Sequence, residues 1–228
     1  MIIDNARLIP FAAALSLEAA SAEIVSQRNN GGILKVKLLE NYSIQLGGEG
    51  LCFKDSELIK AVSTGFGLPC FLPLFRHFNN ALKSISMLLK IKSILSSKQT
   101  SSEKVSVGLR AGLAATAAFA NHDSQSKKLL ESEESGIVLF TIANSDIAVW
   151  ISFSANELCQ VGSKPLKIKP AAIFTFQNLK VASSAISGWF DHLGGPALGE
   201  AEISGNLPLL DKIGYISRKA QKEVPSIL

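Results

Sequence analysis

Ala172-Ile-Phe-Thr-Phe-Gln-Asn-Leu-Lys-Val-Ala-Ser-Ser-Ala-Ile-Ser-Gly188 decides how the chain folds. Its first five residues are apolar, aromatic and β-branched, and predict a strand over Ala172–Phe176. By the period of two, Phe174 and Phe176 share one face of that strand. From Leu179 the period changes. Ile186, Trp189, Phe190 and Leu193 recur at helical spacing, so a helix is expected from Leu179 to Phe190, its stripe running on to Leu193. Gly194-Gly-Pro196 then lets the chain turn or move. Ala201-Glu-Ile-Ser-Gly205 reads as a further strand, and Pro208 to about Lys222 as a last helix.

Upstream of this stretch, Ile137–Ile142 and Ile147–Phe153 predict a hairpin around Asn144-Ser-Asp146, and Glu157–Val161 a further strand. Val107 to about Ala120 is an Ala-rich helix, with an extension or a second helix to Leu130. Ser96–Lys104, rich in Ser, Lys and Thr, reads as a linker, so the chain divides into 1–104 and 105–228. The first half begins with a helix over 6–27. Strands follow over Ile33–Leu39, Tyr42–Leu46 and Leu51–Phe53, then a helix from Asp55 to Gly65 and a long helix from Leu74 to Leu95. The order of elements recurs in the second half. Gly32-Ile33 matches Gly136-Ile137 at an offset of about 104, and Phe53 matches Phe176 at an offset of about 123. An internal duplication is therefore expected, with one hairpin missing from the first copy.

The chain has 228 residues, of which 47% are hydrophobic and 18% charged. That is too apolar for a disordered chain and leaves much apolar surface to bury. The longest uncharged stretch near mid-chain, Ala61–Phe75, holds glycines and prolines and is too short to span a bilayer, so no membrane span is expected. Leu8–Leu17 resembles the apolar run of a signal peptide, but Asp4 offsets Arg7, and spacings of three and four favour a helix. A net charge of +4 is too weak for a dedicated nucleic-acid binder. Cys52, Cys70 and Cys159 are odd in number and far apart, which points to a reducing compartment, hence the cytoplasm. His77, His122 and His192 lie scattered, so no metal is expected.

No nucleophile elbow, phosphate loop or dinucleotide fingerprint occurs, and no cofactor or catalytic activity is expected. Asp191 and His192 are adjacent, which on a helix turns them about 100° apart rather than into an acid–base pair. Arg76, Lys83 and Lys90 recur every seven residues beside a second stripe of Phe75, Phe78, Leu82, Ile85 and Leu89. Such a helix either lies on an anionic membrane or packs on the domain with its lysines in water.

Residues 136–214, extending to about 105–216, resemble the sterol carrier protein family of lipid-binding domains. The resemblance rests on Phe174-Thr-Phe176 at the close of a strand, on Ala182-Ser-Ser-Ala-Ile-Ser-Gly188 as a helix ending in glycine, on Leu198–Asn206, and on the helix after Leu207. It implies an α+β fold, with antiparallel curved sheets covered by helices and an apolar tunnel between the layers. It also implies non-catalytic binding or transfer of a lipid or fatty-acid-like ligand. The residues expected to line the tunnel are Phe174, Phe176, Ala185, Ile186, Trp189, Phe190, Leu193, Leu198, Leu207 and Leu210. The same side chains also suit the filled core of an accessory or structural interaction module, and both readings stand at this point.

Overall fold

The computed structural model describes residues 3–29, 31–154, 157–163, 168–191 and 194–225. Among them the chain forms two sheets separated by helices. Helix α1 (Asn5–Arg28) is capped by the Asp4 carboxylate and ends at Asn29, which takes a left-handed conformation. Strands β1 (Val36–Leu39), β2 (Ser43–Leu46) and β3 (Leu51–Lys54) form an antiparallel meander. Helices α2 (Asp55–Thr64), α3 (Phe71–Arg76) and α4 (Phe78–Leu95) follow. The long helix expected over Leu74–Leu95 is thus two helices, broken at His77.

Helix α5 (Ser102–His122) starts inside the expected linker, with the Ser101 hydroxyl accepting from the Lys104 amide. After α6 (Ser124–Leu130) come β4 (Gly136–Ile142), β5 (Ala148–Phe153), β6 (Gln160–Ser163) and β7 (Ala172–Phe176). Then α7 (Leu179–Ile186), the short α8 (Gly194–Ala197), β8 (Ala201–Gly205) and α9 (Leu207–Glu223) complete the fold. The second sheet has the order β6-β5-β4-β7-β8. Its β4 and β7 run parallel, with Phe140 opposite Phe174, so the sheet is mixed and not wholly antiparallel as expected. The chain between β5 and β7 has to cross over, because β7 joins the far side of β4 rather than extending the meander. The two halves also differ here: β3, which carries Phe53, pairs antiparallel with β2, whereas β7, which carries Phe176, pairs parallel with β4.

Helix α5 is the axis of the molecule. It is apolar on every side, as a helix enclosed all round must be. Val107 and Ala111 pack toward the first sheet, Val105, Leu109 and Leu113 toward the second, and Ala115, Ala118 and Phe119 toward α1 and α9. Small side chains let α1 and α5 run side by side. Their seam is pinned by Arg110, whose Nη1 donates to Glu23 at 2.9 Å, while the Ser163 hydroxyl donates to the same carboxylate at 2.8 Å. Elsewhere Arg7 ties the start of α1 to the first sheet. It donates to both Asp55 carboxylate oxygens and to the Leu39 and Ser43 carbonyls, and stacks over the Tyr42 ring.

By length and hydropathy alone α1 is apolar enough to cross a membrane, as a buried core helix also can be. Two thirds of its most apolar 18 residues are buried inside the fold (67%).

Candidate functional site

The covered face of the second sheet presents Phe140, Phe174, Phe176 and Ile203. Above them, between α5 and α9, lies a cavity of about 470 Å³. That lies within the roughly 300–1,000 Å³ of small-molecule sites. One wall is α5, through Leu109, Gly112 and Leu113. The opposite wall is α9, through Leu207, Leu210 and Ile213, and the end of α7 contributes Ala185, Ile186 and Gly188.

Glycine at two positions on α5 shapes this space. A Cβ on Gly108 would stand 2.8 Å from Ile186, so glycine lets α7 close on α5. A Cβ on Gly112 would meet nothing within 4 Å, so the missing side chain there is open volume. Polar groups gather where the cavity reaches solvent. Asp211 and Arg218 on α9 are both exposed, and neither makes an ion pair among the described residues. The Gln221 side chain donates to the Ala185 carbonyl at 3.3 Å and ties the end of α9 to the end of α7.

Of the expected lining residues, Phe174, Phe176, Ala185, Ile186, Leu207 and Leu210 meet around this cavity. Phe190 does not. Its ring packs edge-on against Phe174 and Phe176, with centroids 6.0 and 5.8 Å away, and belongs to the filled core. Trp189 and Leu198 are corrections: they are 87% and 78% exposed and face water. For Trp189 the cause is the early end of α7. The chain leaves helical geometry after Ile186, and Gly188 adopts φ +77°, so the expected stripe never continues. Leu193, like His192, lies outside the described residues. The wall supplied by α5 escaped the motif search because it consists of small residues. Its one sequence signal is a pair of glycines four apart in an otherwise strong helix, where glycine costs roughly 1 kcal/mol against alanine.

None of Cys52, Cys70, Cys159, His77 and His122 lines the cavity. Burial pushes the Cys159 thiol up to about 11 and also raises that of Cys52, which hydrogen-bonds to Cys70. Neither is a thiolate at neutral pH. Burial lowers the pKa of His122, which lies edge-on to Phe11. No group of three or more His, Cys, Asp or Glu that could hold a metal ion occurs among the described residues.

No family model matches the chain, and no curated protein does either. Among solved structures it is similar to the sterol carrier protein domain 2 of Helicoverpa armigera, at 20% identity over 57% of this chain and 99% of that one, with a TM-score of 0.39. It is also similar to sterol carrier protein 2 from Yarrowia lipolytica in its apo form, at 15% identity over 57% and 97%, TM-score 0.36. A third is the UbiJ-SCP2 ubiquinone synthesis protein, at 11% identity over 50% and 92%, TM-score 0.38. The chain has an α+β fold, and the solved structures similar to it include sterol carrier domains.

Proposed function

We propose that the chain binds a lipid or another elongated hydrophobic molecule in the cavity between β7 and helices α5 and α9, and carries it without catalysis in the cytoplasm. The carrying observation is the cavity itself: about 470 Å³, walled by phenylalanine, leucine and glycine. An apolar space of this size left empty forfeits dispersion contacts on every wall, and lining it with apolar groups keeps it attractive to an alkyl chain. Arg218 stands at the mouth, where a cation suits the carboxylate of a fatty acid. Its exposure limits that gain to the roughly 0.2–1 kcal/mol of a surface ion pair, so the alkyl chain would dominate affinity.

Gly112→Leu is the direct test. The new side chain projects into open space. It also replaces a poor helix former by a good one. Native mass spectrometry of the wild type is expected to show a co-purified lipid, and a fluorescent fatty acid to bind the delipidated protein. The variant should melt at the same temperature or higher and lose that binding. Unchanged binding by a stably folded variant would place the ligand elsewhere. No binding by the wild type would favour the interaction module with a filled core.

A further inference from the structure

Sixteen large hydrophobic residues are exposed among the described residues, and eight of them lie between Phe66 and Leu89. They occupy three successive elements. Phe66 and Leu68 stand on the loop after α2. Phe71, Leu72 and Phe75 stand on α3, which buries none of its residues. Phe78, Leu82 and Leu89 stand on α4. At 100° per residue, Phe78, Leu82, Ile85 and Leu89 fall within about 60° of one another. The side of α4 that enters the core is a different one, made by Ala81, Ser84, Met87, Ile91 and Leu95. Helix α4 is therefore apolar on two sides, and of the stripe most visible in the sequence Phe78, Leu82 and Leu89 are left in water while Ile85 packs against the first core. Scattered exposed leucines need no explanation, but a concentrated patch marks an interaction site.

Charge tells what the patch faces. From Leu58 to Ser102 the chain has no Asp or Glu, and it carries Lys60, Arg76, Lys83, Lys90, Lys92 and Lys98. The nearest acids are occupied: Glu57 accepts from the Leu68 amide at 2.8 Å, and Glu49 lies 3.1 Å from His77. We propose that the loop at Phe66–Leu68, helix α3 and the outer stripe of α4 form a docking face for an anionic lipid bilayer. The phenylalanines and leucines enter the interface while Arg76, Lys83 and Lys90 meet the headgroups. This goes beyond the cavity reading and stands without it.

The test is co-sedimentation of the full chain with vesicles of phosphatidylcholine containing about 30% phosphatidylserine, against phosphatidylcholine alone. Binding is expected to the anionic vesicles and to weaken as salt is raised, since the Debye length falls from about 10 Å at 0.1 M to 3 Å at 1 M. Leu72→Glu with Phe75→Glu, both at exposed positions, should reduce it at least tenfold while the melting curve stays put. Lys83→Glu with Lys90→Glu should do the same at low salt. Gly112→Leu should bind vesicles as the wild type does, which separates this face from the cavity. Three results would overturn the proposal: no anionic binding, binding untouched by Leu72→Glu with Phe75→Glu, or a dimer in solution that this pair of substitutions dissolves.

Discussion

Gly205 sits at φ +89° at the end of β8, and a Cβ there would run into the Ala171 carbonyl. Gly188 sits at φ +77° with open space around its Cα. Backbone strain alone costs a non-glycine residue roughly 1–2 kcal/mol in this region. Gly188→Val should therefore destabilise by about that much. Gly205→Val adds a clash with main chain that cannot swing aside, so it should cost clearly more. Urea unfolding of the two variants checks the ordering; equal midpoints would show that β8 shifts to accommodate the branch. Both glycines were legible in the sequence, since Gly188 closes a helical stretch and Gly205 a strand before a helix. What they do was only half legible. Gly188 stops α7 before Trp189, whereas the apolar pattern runs on past it, and periodicity cannot tell a helix that continues from one that ends in a left-handed residue. That Phe174 and Phe176 share a face was legible for a simpler reason, since alternation along β7 is a local property.

At the scale of elements, α9 is the cover of the cavity, and two ion pairs hold it down. Lys219 donates to Asp123 at 2.8 Å, and Lys212 pairs with Glu133. Burial opposes ionisation of Asp123, but its hydrogen bonds from Lys219 and Ser126 prevail and hold it below the usual carboxylate range. A carboxylate with a depressed folded pKa stabilises the fold above its unfolded value of about 3.9, and that contribution disappears as the pH falls through the lower folded value. Asp123→Asn should then lower the melting temperature throughout pH 5–7. The difference from the wild type should shrink below about pH 4, as the wild type loses its own charge. A constant difference down to pH 2 would mean that Asp123 acts only as the cap of α6. None of this was visible beforehand, because Asp123 and Lys219 are 96 residues apart and sequence spacing reports only neighbours. The parallel pairing of β4 with β7 was hidden for the same reason. So was the buried face of α4, since two apolar stripes are equally good candidates until the rest of the fold selects one.

For the whole molecule, the seam between α1 and α5 decides whether residues 1–104 and 105–228 behave as separate units. The boundary falls three residues inside α5, and that helix gives side chains to both sheets' cores. Glu23 and Arg110 meet across the seam with side chains 7% and 17% exposed. Removing one partner of so enclosed a pair leaves a charge without compensation, which costs about 3 kcal/mol or more. Glu23→Gln should therefore destabilise the full chain by that order. Because α5 belongs to both cores, the loss should appear in a single transition, with circular dichroism and Trp150 fluorescence moving together. Residues 105–228 alone would expose Val107, Ala111, Ala115 and Ala118, which α1, α4 and the first sheet now cover. They should self-associate or unfold at lower urea than the full chain. Two separate transitions in the full chain, or an isolated second half as stable as the whole, would instead make α5 the property of the second sheet and reduce α1 to a helix docked upon it.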